Sequence, residues 1–370
     1  MANLYPYEPD YAASPGDILA EILEGKKMSQ AEFANRCGRS TKLISEIIAG
    51  KASVEPQTAM QFERVTGMSA EIWNNIDAAY RLHQARTEEA ARLVEAEGWA
   101  RKFPRPELLR RGYVKDTSVG ALLNFFGVGS ITAWQDRYGQ MALCARHSMA
   151  FNSTPESLAT WLRIGELLAE PVKTEPFDRH RLTEALRNVR GLTRLPVDQA
   201  LPEVRTQLAA VGVVFGLVPK FKGVAISGCA RWLAPQRAMI CQTARGMADD
   251  HLWFTFFHEA AHLVLHLGSR KDLIVDQDGR SDDDIEREAN EWASDFLVPN
   301  AKFVRLLGGL ATEAAVRRVA DEEGIAAGIV VGMLQHVGAV PWNSGLNALK
   351  TRYQWADDAS PDARSRNDSE

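Results

Sequence analysis

Residues 253–266, WFTFFHEAAHLVLH, constrain the fold and function of this chain more than any other stretch. They contain the pattern H-E-x-x-H, formed by His258, Glu259 and His262, within an otherwise apolar run. On an α-helix, residues four apart share a face and lie about 6 Å apart along the axis, so two imidazoles can bind one Zn²⁺. Glu259 follows the first histidine and can act as the general base that takes a proton from water. The pattern therefore predicts a buried zinc-binding helix.

A zinc site of this kind needs a third protein ligand, and without one the pattern fits a buried helix with two structural histidines equally well. His266 lies roughly 12 Å along the axis from His258, so the two cannot share one ion. We expect His266 to support the ligands or to lie at the surface. Residues 286–299, EREANEWASDFLVP, have the spacing of an amphipathic helix. Glu288, at the edge of its apolar stripe, is the predicted third ligand; Glu286 is the alternative, and both could instead be solvated charges.

Composition limits the functions that remain open. The chain has 370 residues, enough for two or three domains, and a net charge of −5, so DNA binding requires a local basic patch. Its four cysteines form no C-x-x-C pair, which predicts reduced thiols. The amino terminus, MANLYPYEPD, lacks the apolar core of a signal peptide, and no uncharged apolar run of about 18 residues occurs. We therefore expect a cytoplasmic protein that does not contact membranes.

Residues 14–80 show short amphipathic helices, three of them opened by a serine that can cap the helix and closed near a glycine. The predicted caps and ends are Ser14, Ser29 and Ser40, and Gly25, Gly38 and Gly50. The spacing is that of a helix-turn-helix DNA reader, although a plain helical bundle has similar spacing. Residues 36–51 contain four cations and one acid, which favours the DNA-binding interpretation.

The third of these helices is predicted to read DNA, because small hydroxyls and cations on its exposed face can reach base edges and phosphates. The predicted DNA-contacting residues are Gln30, Arg39, Ser40, Thr41, Lys42, Ser45 and Lys51. The expected partner is double-stranded operator DNA, bound by a homodimer at a short inverted repeat.

Residues 81–119 are predicted to link two domains, because they are charged and helical and are then broken by the sequence FPRP. Within them, residues 97–115 are expected to be exposed and therefore accessible to cleavage. Residues 120–355 form the second predicted domain. Residues 356–370, rich in Asp, Ser, Arg and Ala, are predicted to be disordered.

The second domain is predicted to contain a small sheet beside the zinc helix. Runs rich in β-branched residues predict strands at residues 211–217, 223–229 and 238–242. Strand edges can hold an extended peptide by main-chain pairing, and residues 227–232 are the predicted segment. Arg231 could stabilise an oxyanion there, or could form a structural ion pair.

Two parts of the chain resemble known families. Residues 14–80 resemble the repressor domain of the XRE family, close to its HigA-type antitoxin branch, in the motifs S-Q-x-x-x-A, I-S-E-I-I-x-G-K and I-W-x-N-x-x-A-A-Y. Residues 120–350 resemble the ImmA/IrrE family of metallopeptidases in R-W-L, F-T-F-F-H-E-x-x-H-x-x-L-H, E-x-E-A-N-x-x-A-x-x-F-L-x-P and G-I-x-x-G-I-V-V-G-x-L-Q-H. Ala261 departs from the second family, which usually has glycine there, but alanine is a good helix former and should not impair the site.

These resemblances imply an α+β fold, with an all-α helix-turn-helix domain at residues 1–80 followed by a mostly helical, zincin-like domain with a small β-sheet. They imply that His258, His262 and Glu288 bind Zn²⁺ and that Glu259 is the general base. The implied function is DNA-binding transcriptional regulation combined with zinc-dependent hydrolysis of a protein, either an XRE-type or antitoxin-type regulator or the chain itself. The alternative is a non-catalytic, antitoxin-like repressor whose metal-binding domain senses or scaffolds.

Overall fold

The structure is a computed structural model that describes residues 12–139, 153–221, 223–244, 248–266, 273–276, 284–309 and 311–353. The chain forms two compact units, Met1–Gly98 and Trp99–Glu370. Both are built mainly of helices, and the second also contains a sheet, so the predicted α+β class is confirmed. Among the described residues, no helix is long and apolar enough to span a membrane. The predicted disorder of residues 356–370 concerns a segment outside the described residues.

The amino-terminal unit contains the helices Pro15–Gly25 (α1), Gln30–Cys37 (α2), Thr41–Ile48 (α3), Pro56–Thr66 (α4) and Ala70–Glu95 (α5). The predicted caps of the first three are confirmed, because the hydroxyl oxygens of Ser14, Ser29 and Ser40 accept hydrogen bonds from backbone N–H groups of the first turn. α2 ends at Gly38, which has the left-handed φ of 64° that glycine adopts without strain. These local signals delimit the two helices of the helix-turn-helix.

The core of this unit is built around three aromatic rings. Phe33, Phe62 and Trp73 are fully buried, and their rings meet edge to face at centroid distances of 4.9 and 5.3 Å. Ile44 and Ile47 of α3 join this core. Because α3 buries that face, its opposite face is left to polar residues.

The sheet of the second unit contains Val213–Pro219 (β1), Gly228–Ala234 (β2), Arg237–Ala244 (β3) and Leu273–Asp276 (β4), in the order β1-β3-β2-β4. β1 pairs with β3 in parallel, whereas β2 is antiparallel to both β3 and β4. The predicted strand at residues 223–229 is wrong, because strand pairing begins at Gly228 and continues through the R-W-L segment. β4 was not predicted from the sequence.

The stretch predicted to link the domains is divided between the units. Residues 81–95 continue α5, and the next helices are Glu97–Ala100 (α6), Arg105–Arg110 (α7), Val119–Phe126 (α8) and Ile131–Trp134 (α9), with a π-helical turn at Gln135–Gly139. The FPRP sequence does not break the fold, because Pro104 and Pro106 lie at the start of α7, where a missing N–H is tolerated.

Residues 97–115 were expected to be exposed, and in the structure much of this stretch is packed. Phe103 and Leu108 are only 4% and 0% exposed. The ring of Trp99 packs against Trp134, and the ring of Phe103 packs against Phe126 and Trp134, with centroids 5.2–5.5 Å apart. The prediction of an accessible linker here is therefore corrected: aromatic burial outweighs the charged and proline-rich character of the segment.

The remaining described helices are Pro155–Ala169 (α10), Arg179–Leu192 (α11), Val197–Ala209 (α12), Asp249–Leu265 (α13), Asp284–Leu297 (α14), Asn300–Leu307 (α15), Glu313–Glu323 (α16) and Ala327–His336 (α17). α13 and α10 cover opposite faces of the sheet. Along β3, Ile240 joins the core that contains α13, whereas Met239 and Cys241 contact Gly165 of α10.

Helix α13 is held by two other helices. The ring of Phe257 packs against Phe296 of α14 at a centroid distance of 5.4 Å. At the other end, α17 comes so close that a Cβ added to Gly328 would lie 2.3 Å from Oδ1 of Asp249. Contacts outside the candidate site thus fix the position of α13.

Candidate metal centre and DNA-binding surface

Three potential metal ligands converge between α13 and α14. His258 and His262, four residues apart on α13, are 2% and 0% exposed, and their Nε2 atoms lie 3.0 Å apart. Glu286 of α14 places Oε2 3.0 Å from Nε2 of His258 and Oε1 3.5 Å from Nε2 of His262. The ligand atoms of all three residues lie within 4.8 Å of one another. Two imidazoles and one carboxylate are a donor set that suits Zn²⁺.

The structure brings Glu286, and not the predicted Glu288, to the two histidines. Glu288 instead places Oε2 3.0 Å from Nε2 of His266, and its side chain is 58% exposed. The reason is helical phase: Glu286 lies three and seven residues before the buried Ala289 and Ala293, on the inward face of α14. Glu288 directly precedes Ala289 in the chain, so its side chain is turned away from that face. The spacing was present in the sequence and could have identified Glu286.

Electrostatics favour the protonation states that metal ligands require. Burial lowers the pKa of His262, so its imidazole is neutral at pH 7. Burial alone would raise the pKa of Glu286, but hydrogen bonds with His258 and His262 outweigh this effect and lower the pKa to about 2. A neutral imidazole at His262 and an ionised carboxylate at Glu286 are the forms that bind a metal.

The outer nitrogens of both histidines have partners of their own. Nδ1 of His258 lies 3.0 Å from Oδ1 of Asn290, which is four residues after Glu286 on the same face of α14. Nδ1 of His262 lies 3.1 Å from Nδ1 of His266. With Nδ1 engaged elsewhere, each Nε2 is left to face the centre of the site, as expected for metal-ligating histidines. The contribution of Asn290 was not predicted from the sequence.

Glu259, the predicted general base, is fully buried and lies against β2. A Cβ added to Gly228, the first residue of β2, would lie 2.3 Å from Oε1 of Glu259. The absence of a side chain at Gly228 therefore makes the space that the carboxylate occupies. The role of this glycine was not predicted from the sequence.

Two predictions about β2 are changed by the structure. Nη1 of Arg231 lies 3.3 Å from Oε1 of Glu166, which belongs to α10 on the face of the sheet away from α13. Of the two roles considered for Arg231, the ion pair is thus the one observed. The edge at residues 227–232, predicted to hold an extended peptide, is paired with β4 from Gly228 to Arg231. A strand of the same chain occupies that edge.

Most of the residues predicted to contact DNA are exposed to solvent in the amino-terminal unit. Gln30, Thr41, Lys42, Ser45 and Lys51 are exposed. The side chain of Lys42 is 84% exposed and approaches Glu46 at 3.8 Å.

Two of the predicted contacts also have structural roles. Ser40 accepts the backbone N–H of Leu43 as the cap of α3, and Nε of half-buried Arg39 donates to Oε1 of Gln61 at 2.5 Å. Arg39, Lys51 and Arg81 line a surface cavity of about 580 Å³. Glu55 also lines this cavity, so the three cations leave its lining with a net positive charge, which can attract phosphate groups.

Comparisons with known proteins match each unit to a different class. The family described as the IrrE N-terminal-like domain, Peptidase_M78, matches residues 232–329, a span that includes α13 and α14. The "Uncharacterized HTH-type transcriptional regulator YddM" of Escherichia coli (strain K12) is 34% identical over 80 residues, which are 21% of this chain and 85% of YddM.

Two solved structures are similar over about the same length. An addiction module antidote protein of the HigA family from Coxiella burnetii is 28% identical and covers 22% of this chain and 91% of its own, with a TM-score of 0.21. The Pseudomonas aeruginosa antitoxin HigA with higBA promoter is 24% identical and covers 22% of this chain and 90% of its own, also with a TM-score of 0.21.

The helix-turn-helix and the buried donor cluster thus define a regulator joined to a metallopeptidase-like domain. Through its amino-terminal region, the chain belongs to the XRE-type HTH transcriptional regulators, and its second unit carries an IrrE N-terminal-like domain of the M78 peptidase family.

Proposed function

We propose that this protein is a DNA-binding regulator whose second unit is a zinc-dependent endopeptidase that hydrolyses a protein. The observation that carries the proposal is the convergence of His258, His262 and Glu286 on one buried point, with Glu259 on the same helix. The protonation states and outer partners of these residues support Zn²⁺ as the bound ion.

Each residue has a defined task in this proposal. His258, His262 and Glu286 would hold Zn²⁺, which when bound supplies Lewis acidity and lowers the pKa of water to about 7. Glu259 would accept the proton of the attacking water at its carboxylate and deliver it to the amide nitrogen as the peptide bond breaks. Gly228 leaves the space in which this carboxylate can lie against β2.

The experiment compares purified full-length wild type with Glu259→Gln, both loaded with Zn²⁺. Each is incubated with a lysate of the source cells, with and without promoter DNA, and new protein termini are mapped by mass spectrometry. Glu291→Gln is the matched control, because Glu291 lies on α14 with a side chain that is 71% exposed. We expect termini with wild type and Glu291→Gln that are missing with Glu259→Gln. The protein in which these termini lie identifies the substrate, which is either a separate regulator or this chain itself.

A second candidate function is a metal-binding sensor or scaffold that does not hydrolyse protein. One observation favours it: β4 occupies the edge of β2 on which an extended substrate would pair. If no termini specific to wild type appear under any condition, while Zn²⁺ changes DNA affinity, the sensor function stands and catalysis is rejected.

For the amino-terminal unit, we propose binding to double-stranded operator DNA as a homodimer, with α3 in the major groove. The support is the exposed polar face of α3 and the charges of Arg39, Lys51 and Arg81 around one cavity. Gel shifts at low salt with the promoter of the protein's own gene test this proposal. If the protein binds neither this promoter DNA nor any member of a genomic library of short duplexes, it is not a DNA-binding regulator.

A further inference from the structure

We propose that His266 and Glu288 are positioning residues that fix the imidazole of His262 for zinc binding. This inference rests on the proposed zinc site and adds two residues to it. It also gives a role to Glu288, which the sequence indicates as a ligand and the structure places outside the donor cluster.

The three side chains form a line from the buried centre to the surface. Nδ1 of His262 lies 3.1 Å from Nδ1 of His266, and Nε2 of His266 lies 3.0 Å from Oε2 of Glu288. Exposure rises along the line: the side chains are 0%, 10% and 58% exposed for His262, His266 and Glu288. The backbone N–H of His266 also donates to the carbonyl oxygen of His262, at 2.9 Å. His266 is therefore tied to the ligand by both its backbone and its side chain.

The hydrogen-bond roles along this line are fixed by the zinc site. If Nε2 of His262 gives its lone pair to the metal, Nδ1 must carry the hydrogen and donate it to Nδ1 of His266. His266 then carries its own hydrogen on Nε2 and donates it to the carboxylate of Glu288. This assignment satisfies every ring nitrogen of the two histidines. Glu288 thus selects the tautomer of His266 that can accept from the ligand.

The other histidine ligand is held differently. Nδ1 of His258 is 3.0 Å from the amide oxygen of Asn290, so one side chain does for His258 what two do for His262. Asn290 and Glu288 both come from α14, where they lie two residues apart, whereas His266 directly follows α13. The position of α14 therefore sets the orientation of both imidazoles as well as the third ligand.

The test measures the Zn²⁺ dissociation constant of the full-length chain by chelator competition. The variants are His266→Phe, which keeps a ring without nitrogens, Glu288→Ala, Glu286→Gln and the control Glu291→Ala. We expect His266→Phe to weaken binding by about 10–100-fold, as is typical when a partner of a metal-ligating histidine is lost. Glu288→Ala should weaken it less but measurably, and Glu291→Ala should not change it.

A spectroscopic measurement separates positioning from general damage. Long-range ¹H–¹⁵N NMR spectra of the imidazoles should show one Nδ1–H tautomer for His262 in the zinc-loaded wild type and exchange broadening or a second tautomer in His266→Phe. Glu288→Gln keeps an oxygen that can accept a hydrogen bond from His266. A wild-type spectrum in this variant would therefore support the proposed hydrogen bond.

The outcomes are distinguishable from a failure of the proposed function. A wild type that binds no Zn²⁺ removes the zinc site and this inference together. Normal zinc affinity in both His266→Phe and Glu288→Ala overturns the inference and leaves the site intact. Loss of zinc in Glu288→Ala with retention in Glu286→Gln also overturns it, because Glu288 would then be the ligand itself.

Discussion

The two units carry their candidate functional residues in opposite physical settings. In the amino-terminal unit, the side chain of Lys42 is 84% exposed, and its 3.8 Å ion pair with Glu46 is of a kind that contributes little to stability. In the second unit, His258 and His262 are buried, and every ring nitrogen has a partner. Lys42, a proposed DNA contact, can therefore change with little effect on the fold, whereas His258 and His262 are part of the core.

The largest expected effect comes from removing a buried ligand. His262→Ala should weaken zinc binding by more than the roughly 10–100-fold typical for an outer partner, because a ligand is lost outright. It should also remove the gain in thermal stability that zinc gives the wild type, which is about 4 kcal/mol at a thousandfold excess over the dissociation constant. Elemental analysis and melting curves with and without chelator measure both effects. Equimolar zinc in the variant would contradict the site.

The same variant also tests whether the two settings are separate. If the amino-terminal unit acts by itself, His262→Ala should bind promoter DNA within about twofold of the wild type, as expected for a change in a separate compact unit. Fluorescence anisotropy at fixed salt measures this. A large loss of DNA affinity would mean that the metal state of one unit controls the other, which is the behaviour of the sensor candidate.

The next largest effect concerns the exposed surface. The double variant Arg39→Ala, Lys42→Ala should lose specific DNA affinity by a few kcal/mol, at about 1–3 kcal/mol for each good base contact. Its unfolding free energy should fall by about 1 kcal/mol, because Arg39 loses its hydrogen bond to Gln61 whereas exposed Lys42 contributes little to stability. Lys26→Ala, an exposed position in the same unit, is the control. Equal losses in the variant and the control would show only a general effect of charge.

The features predicted correctly from the sequence are those set by neighbours in the chain. Ser29 and Gly38 delimit α2 through contacts within one turn, so a single sequence is enough to place that helix. The H-E-x-x-H spacing likewise fixes the relation of His258 to His262, because both lie on one helix. In both cases the determining interactions span at most four residues.

The features missed are those set by tertiary packing. Glu286 and Glu288 lie two residues apart and so on different faces of α14. The spacing to Ala289 and Ala293 favours Glu286, but the packing of α14 against α13 is what brings it to the histidines. β4 is a strand because β2 offers it an edge, and nothing in its own four residues requires that pairing. The FPRP sequence reads as a break, yet Phe103 is buried by rings from α8 and α9.

A smaller effect is expected at the contact between Glu259 and β2. Gly228→Ala places a Cβ 2.3 Å from Oε1 of Glu259, so it should destabilise the fold by about 2–3 kcal/mol, within the usual range for overpacking. Gly191→Ala is the matched control, since a Cβ at that helical position meets no atom within 4 Å. Urea denaturation measures both. The loss of unfolding free energy caused by Gly228→Ala should be smaller in a background that also carries Glu259→Ala. An unchanged loss would show that the steric strain does not come from Glu259.

The smallest expected effect is a pH dependence at the start of α13. Burial raises the pKa of Asp249 from 3.8 to about 6, and the charge of Asp250 adds to this, while backbone hydrogen bonds and Lys350 oppose it. The folded state then binds more protons than the unfolded state between about pH 4 and 6. Stability therefore falls as the pH rises through that window, and the cost of the buried charge is fully present above it.

Asp249→Asn cannot ionise, so it should gain stability relative to the wild type between pH 4 and 7. A shift of two pKa units would correspond to a gain of about 3 kcal/mol in unfolding free energy. The N–H of Asp250 donates to Oδ1 of Asp249, and the variant keeps this hydrogen bond only if its amide oxygen takes that place. We therefore expect a gain of about 1–2 kcal/mol. Denaturant unfolding at pH 4 and at pH 7 measures the difference. Asp198→Asn is the control, because Asp198 is an exposed residue in the first turn of α12. A pH-independent difference would show that Asp249 does not change its protonation on folding in this range, so that the packing of α17 onto α13 involves no titration of this carboxyl.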